Sequence, residues 1–181
     1  QGKGMKAAKM TVAGVTYYLV FDGEAMFMLR DIYGGTQLAL EAIEQDTRES
    51  FAATCAIAAV LAERGELLRR RLGYDPGAIP EKDDFLLAVR PFEIVELKRA
   101  IMTAIELGYG LEVTTPGDEI DEGLAELNQK KNKIRRADYY RIAVLCGVSP
   151  GEALFMAPGE VFDLWELYLS AHGKNRGEEG V

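Results

Sequence analysis

The chain is poor in the side chains that most often carry chemistry. Its 181 residues include one histidine and two cysteines. The histidine, His172, falls in the Gly- and charge-rich end of the chain, which argues against a Ser-His-Asp arrangement and against a histidine-based zinc site. Cys55 and Cys146 show no CxxC spacing and no histidine neighbour. Two lone thiols in apolar stretches point to a reducing compartment, the cytoplasm. Neither GxGxxG nor GxxxxGK[ST] occurs, and Gly108-Tyr109-Gly110 is too short to cradle a phosphate. Uncharged runs stop well short of the roughly 20 residues that a bilayer crossing needs, and no apolar leader is visible. Positive charge is in deficit, the net charge being −8, so general binding to nucleic acid or anionic lipid is disfavoured. Asp83, Asp84, Asp118 and Asp121 have the right chemistry for a divalent cation, yet read better as solvated acidic loops. These absences lead to an expectation of no enzyme activity, no catalytic residue, no cofactor, no metal and no membrane.

Apolar residues, by contrast, are plentiful at 48%, enough for a real core. Phe51–Ala62, FAATCAIAAVLA, carries no charge and lies inside a stretch rich in alanine, the best helix former. It predicts a central helix over 47–72, with Phe51, Ala56, Ile57, Val60 and Leu61 in the core and Ala56 on a small face that a neighbour approaches. Before it, Lys9–Ala13 and Val15–Phe21 read as a hairpin turning at Ala13-Gly14. Asp22 then caps a helix that ends at Gly34-Gly35, and Thr36 caps a short second one. After a Pro- and Asp-rich loop, Phe85–Val89 is short enough to be helix or strand. Pro91 is placed as the first residue of a helix ending at Gly108, whose stripe is Ile94, Leu97, Ile101 and Ile105. Leu111–Thr115 reads as a further strand. The fold class expected is α+β, predominantly helical: a hairpin followed by a helical bundle over 9–115.

From Pro116 the composition changes. Residues 116–136 are charged, acidic and then basic, and read as a solvated linker. Three helices fit into 137–171 as a small separate module, followed by a disordered tail over 172–181. The turn at Gly147-Val148-Ser149 matches that of a helix-turn-helix. The helix after it, with Glu152, Ala153, Leu154, Phe155 and Met156, offers no donor for base edges, so DNA binding stands as the weaker alternative. In the last helix Val161, Leu164, Trp165 and Tyr168 share a face that packs on Tyr139, Ile142 and Leu145, while Phe162 points away. So small a bundle has room for about one row of core residues, leaving aromatic groups at its edge. Tyr139, Tyr140, Phe155, Trp165 and Tyr168 are the protein-binding candidates, since aromatics are common binding anchors.

The order of these pieces resembles the tail assembly chaperones of long-tailed bacteriophages and prophages. MTVAGVTYYLVFDG corresponds to the family's hairpin, EAMFMLRDIYGG to its first helix and RPFEIVELKRAIMTAIELG to a Pro-initiated helix of its bundle. RRADYYRIAVLCGVSPGEALFMAPGEVFDLWELYL is similar to the extension of the family's long form, although Ala157 stands where a capping Ser or Thr is expected. The resemblance implies a non-enzymatic protein of the bacterial host cytoplasm. Its partners would be the tape measure protein, which it coats, and tail tube subunits, which the extension recruits; homo-oligomerisation is left open. Met26, Met28, Met102 and Met156 would give such a protein adaptable apolar surface.

Overall fold

The computed structural model describes residues 5–110 and 134–173. Within them the fold is α+β and mostly helical, with one two-stranded antiparallel sheet. Strands β1 (Ala8–Val12) and β2 (Val15–Leu19) pair with Val12 opposite Val15. That register leaves a two-residue turn. Ala13 (φ 48°) and Gly14 (φ 80°) both take left-handed backbone, the geometry whose twist suits a tight hairpin. Ala8, Met10 and Val12 face the core, while Lys9 and Thr11 alternate outward.

Helices α1 (Gly23–Tyr33) and α2 (Thr36–Glu44) follow. Asp22 caps α1 by accepting the Ala25 N–H at 2.9 Å. Thr36 does not act as a cap. It is the first residue of α2, buried, with its hydroxyl 3.0 Å from that of Tyr109. The capping position falls to Gly35.

Helix α3 (Arg48–Arg71) is the centre of the fold, touching β2, α1, α2, α4 (Lys82–Ala88) and α5 (Ile94–Tyr109). Thr47 caps it through the Ser50 N–H at 3.1 Å. Ile57 and Leu61 are fully buried, as are Leu97 and Ile101 of α5. Phe51, Val60 and Ile94 are half-buried and pack on the core from its margin. Ala56 is half-buried outside that cluster, so the small face lies elsewhere: Cys55, Ala58, Ala59 and Ala62 form it. At its end Gly65 meets β2 so closely that a Cβ there would lie 1.7 Å from the Tyr18 carbonyl oxygen. The adjoining strand is tied down too, Val20 N–H reaching the Leu61 carbonyl at 3.0 Å.

Two helix ends differ from expectation. Pro91 is not a first helical residue, because Arg90–Glu93 closes a turn of its own, Arg90 N–H donating to the Glu93 carboxylate at 2.8 Å. At the other end α5 passes Gly108 and stops at Gly110 (φ 75°). Phe85 lies in a helix, α4. The expected strand at Leu111–Thr115, residues 116–133 of the charged stretch and residues 174–181 of the expected tail lie outside the described residues.

Helices α6 (Arg136–Leu145), α7 (Pro150–Phe155) and α8 (Pro158–Gly173) complete the described chain. They do not stand apart. Their buried residues belong to the same apolar cluster as the rest, α7 resting on α1 and α8 on α5. Arg136 is not a solvated linker residue either. It begins α6, pairs with Glu24 of α1 at 2.5 Å and lies over the Phe27 ring at 4.9 Å. His172 and Gly173 are the last residues of α8 rather than part of a tail.

Two substitutions on α3 check this packing. Gly65→Ala forces a methyl into the Tyr18 backbone and should cost about 3 kcal/mol or more, the upper end of overpacking. Ala56→Leu, outside the packed cluster, should stay within about 0.5 kcal/mol of the parent in urea unfolding. Equal losses would mean that α3 presents a different face to β2.

Candidate protein-binding surface

What holds the C-terminal helices sets which of their side chains are free. Asp22 sits where the hairpin exits into α1, 1% exposed. One carboxylate oxygen caps α1; the other accepts from Arg64 Nε of α3 at 2.8 Å. The Arg64 guanidinium stacks on the Phe155 ring of α7 at 4.6 Å, and Arg71 stacks on it at the same distance. Phe155, expected as an exposed anchor, is thus a half-buried ring between two cations. Gly23 N–H donates to the Met156 carbonyl at 3.0 Å, and Lys6 pairs with Glu160 at 3.1 Å. Gly159 of α8 lies on the end of α5, where a Cβ would come 2.6 Å from the Tyr109 carbonyl oxygen.

Tyr139 is the keystone of this contact and unavailable to a partner. It is fully buried, its ring 5.3 Å from Phe27 and 6.1 Å from Phe162 in edge-on geometry, its hydroxyl donating to the Ala153 carbonyl at 3.2 Å. Burial, with Asp22 adding to it, pushes the phenol far above its ordinary pKa, so it stays a neutral donor. Phe162 is buried as well, contrary to the expectation that it points away. Val161 and Phe162 form the inner face of α8; Leu164 and Tyr168 are half-buried and only Trp165 among them packs on the core cluster.

Half-buried at the margin of the core, and running outward from it, is a ladder of rings. Trp165 and Tyr168 stack at 5.5 Å and 8°, and Tyr168 and His172 at 4.0 Å and 22°. The 3- and 4-residue spacing of a helix face puts them in one column. His172 Nδ1 lies 2.9 Å from the Tyr168 carbonyl, which fixes the last ring. Leu167 and Leu169 on the same helix are 66% and 48% exposed. Tyr140 of α6 is half-buried against the core cluster. Three further apolar side chains that the sequence pattern does not single out, Leu87, Phe92 and Val95 around the α4–α5 junction, are 89%, 70% and 59% exposed. Glu93 and Glu96 interleave with them and break the apolar run. Of the methionines that would give adaptable surface, Met26 is buried and Met28, Met102 and Met156 are half-buried.

Other chemistry is sparse. No group of three or more His, Cys, Asp or Glu side chains with metal-holding geometry occurs among the described residues. Asp84 accepts from the Glu81 N–H at 2.7 Å as part of a helix cap. Burial pushes the Cys55 thiol up to about 11, against the pull of Lys82. No described helix is long and apolar enough to cross a membrane. No protein-family model, curated protein or solved structure matches the chain.

Two consequences are measurable. Tyr139→Ala should lose about 3–5 kcal/mol of stability as a buried aromatic, whereas Tyr168→Ala should lose about 1 kcal/mol or less. Comparable losses in thermal unfolding would place both rings in the core or both outside it. Burial raises the Asp22 pKa to about 6 against the lowering pull of Arg64 and the Ala25 N–H, Glu24 adding slightly to the rise. Because the folded value lies above the unfolded 3.8, the associated stability is complete below pH 3.8 and lost as pH rises through about 6. Relative to Asp22→Asn, which keeps a capping oxygen, the parent should lose about 2–3 kcal/mol between roughly pH 4 and 7. A difference that does not change with pH would mean that the Arg64 pairing balances burial, and one that grows in the parent's favour as pH rises would mean that the pairing outweighs it.

Proposed function

We propose that the protein is a non-enzymatic tail assembly chaperone of a long-tailed phage or prophage, binding the tape measure protein and recruiting tail tube subunits in the host cytoplasm. The observation that carries this reading is the Trp165–Tyr168–His172 ladder on α8, flanked by exposed Leu167 and Leu169. Stacked rings held by their own helix present large area with little rotor entropy left to lose, the property of a binding anchor. The exposed Leu87, Phe92 and Val95 side chains offer further apolar contacts of the kind an amphipathic helical client such as a tape measure segment takes. Hairpin, helical body and three C-terminal helices also follow one another in the order that the resemblance leads one to expect.

Regulation of transcription through α6 and α7 is the weaker reading. α7 is six residues long, its Phe155 is held between Arg64 and Arg71, and Glu152 is its charged residue. A helix so held and so charged is poorly equipped to enter a major groove.

The test is capture of purified tail tube subunits and of tape measure segments by the full chain. Replacing Trp165 and Tyr168 together by Ala should weaken tube-subunit capture about 30-fold, a hot-spot loss of roughly 2 kcal/mol, while Tyr168→Ala alone, which leaves Trp165 on the core, should weaken capture with little change in melting temperature. Leu87→Glu with Phe92→Glu should weaken tape measure capture instead. Undiminished capture of both clients by both variants would overturn the assignment of these surfaces.

A further inference from the structure

Against a chain of net charge −8, one concave surface carries the opposite sign. Met5, Ala7 and Lys9 on the lead-in to β1 and on β1 itself, Tyr18 of β2, Arg69 of α3 and Tyr74 line a groove of about 310 Å³. No carboxylate is among these lining residues. Arg69 is the organising group. Its guanidinium lies 5.1 Å from the Tyr18 ring and 5.4 Å from the Tyr74 ring, while the Lys9 ammonium lies over Tyr18 at 5.5 Å.

The groove is braced from beneath. Buried Glu66 accepts from Arg69 Nη1 at 2.7 Å, from Arg70 Nε at 3.1 Å and from the Gly77 N–H. Burial alone would raise its pKa, but Gly77 and the two guanidiniums hold it below the ordinary range, so it stays an anion. One carboxylate shared by two guanidiniums leaves a positive charge in excess, and Lys9 adds another. Tyr74, 57% exposed, stays in place because its N–H donates to the Arg69 carbonyl at 3.0 Å and its ring lies on the Arg69 guanidinium.

We propose that this groove binds an acidic peptide segment of a partner protein, its carboxylates meeting Lys9 and Arg69 and its aliphatic stems lying on Tyr18 and Tyr74. The volume suits one or two side chains rather than a folded surface. Two excess charges match a short run of carboxylates. A nucleic acid needs many phosphate contacts along its length, and a chain of this net charge repels it beyond the groove. The site lies on the hairpin side of α3 and its assignment does not depend on the assembly role above.

Titration of the isotopically labelled full chain with hexaglutamate, followed by amide NMR, tests it. Saturable shifts confined to residues 5–9, 17–19 and 68–75 are expected, weakening with added salt, with hexalysine giving none. Lys9→Glu changes an exposed side chain and should leave the spectrum folded while weakening hexaglutamate about tenfold or more. Tyr74→Ala should weaken it less. Absence of saturation, shifts centred elsewhere, or an unchanged affinity in Lys9→Glu would overturn the proposal. So would inorganic phosphate or a short oligonucleotide binding the groove as tightly as the peptide, since the site would then be one for anions at large.

Discussion

Asp22 and Arg64 form the contact on which the arrangement of this chain depends. A carboxylate and a guanidinium taken out of water cost several kcal/mol each, and only close pairing with every remaining lone pair satisfied offsets that. Here the offset is structural. One Asp22 oxygen starts α1 and the other anchors α3, so the direction of α1 relative to the central helix is fixed by a single side chain. The other face of the Arg64 guanidinium is covered by Phe155, which brings α7 to the same point. Three elements distant in sequence therefore meet over two charges. Removing one partner would leave the other buried and alone, a larger loss than the pair's net contribution.

From that point the rest of the packing follows. With α7 held, α6 lays Tyr139 into the space between Phe27 and Phe162, and α8 must come down on the end of α5. The residues consumed in this way are those no partner can use. Rings that lie farther along α8, beyond the contact with α5, keep an open side. The division between core and surface on the C-terminal helices thus comes from where they dock, not from their own amphipathic pattern.

That is also why the chain was only partly legible from its sequence. The hairpin, the Asp22 cap and the extent of α3 obey local rules, turn chemistry, side-chain capping and the absence of charge, and each is found. The fate of Tyr139 and Phe162 obeys a long-range one. A stripe drawn for a free-standing bundle cannot anticipate a helix body arriving from residues a hundred positions earlier. The Pro91 start gave way to a turn because Glu93 can satisfy the Arg90 N–H, a competition between two local rules that periodicity does not rank. The exposure of Leu87, Phe92 and Val95 is not legible because interleaved charges such as Glu93 and Glu96 break the apolar pattern around them. The Lys9–Arg69 groove could not be read at all, since its walls come from a strand, a helix and a loop.

The glycine contacts have a consequence for how this sequence can drift. Gly65 faces the carbonyl oxygen of Tyr18, and Gly159 that of Tyr109. Steric conflicts between side chains are commonly relieved by trimming the partner, which lets lineages trade volume across a contact. Here the partner atom is main chain, present whatever residue occupies position 18 or 109. A side chain gained at either glycine therefore has no second-site suppressor at its point of contact, and the only relief is to move a strand or a helix.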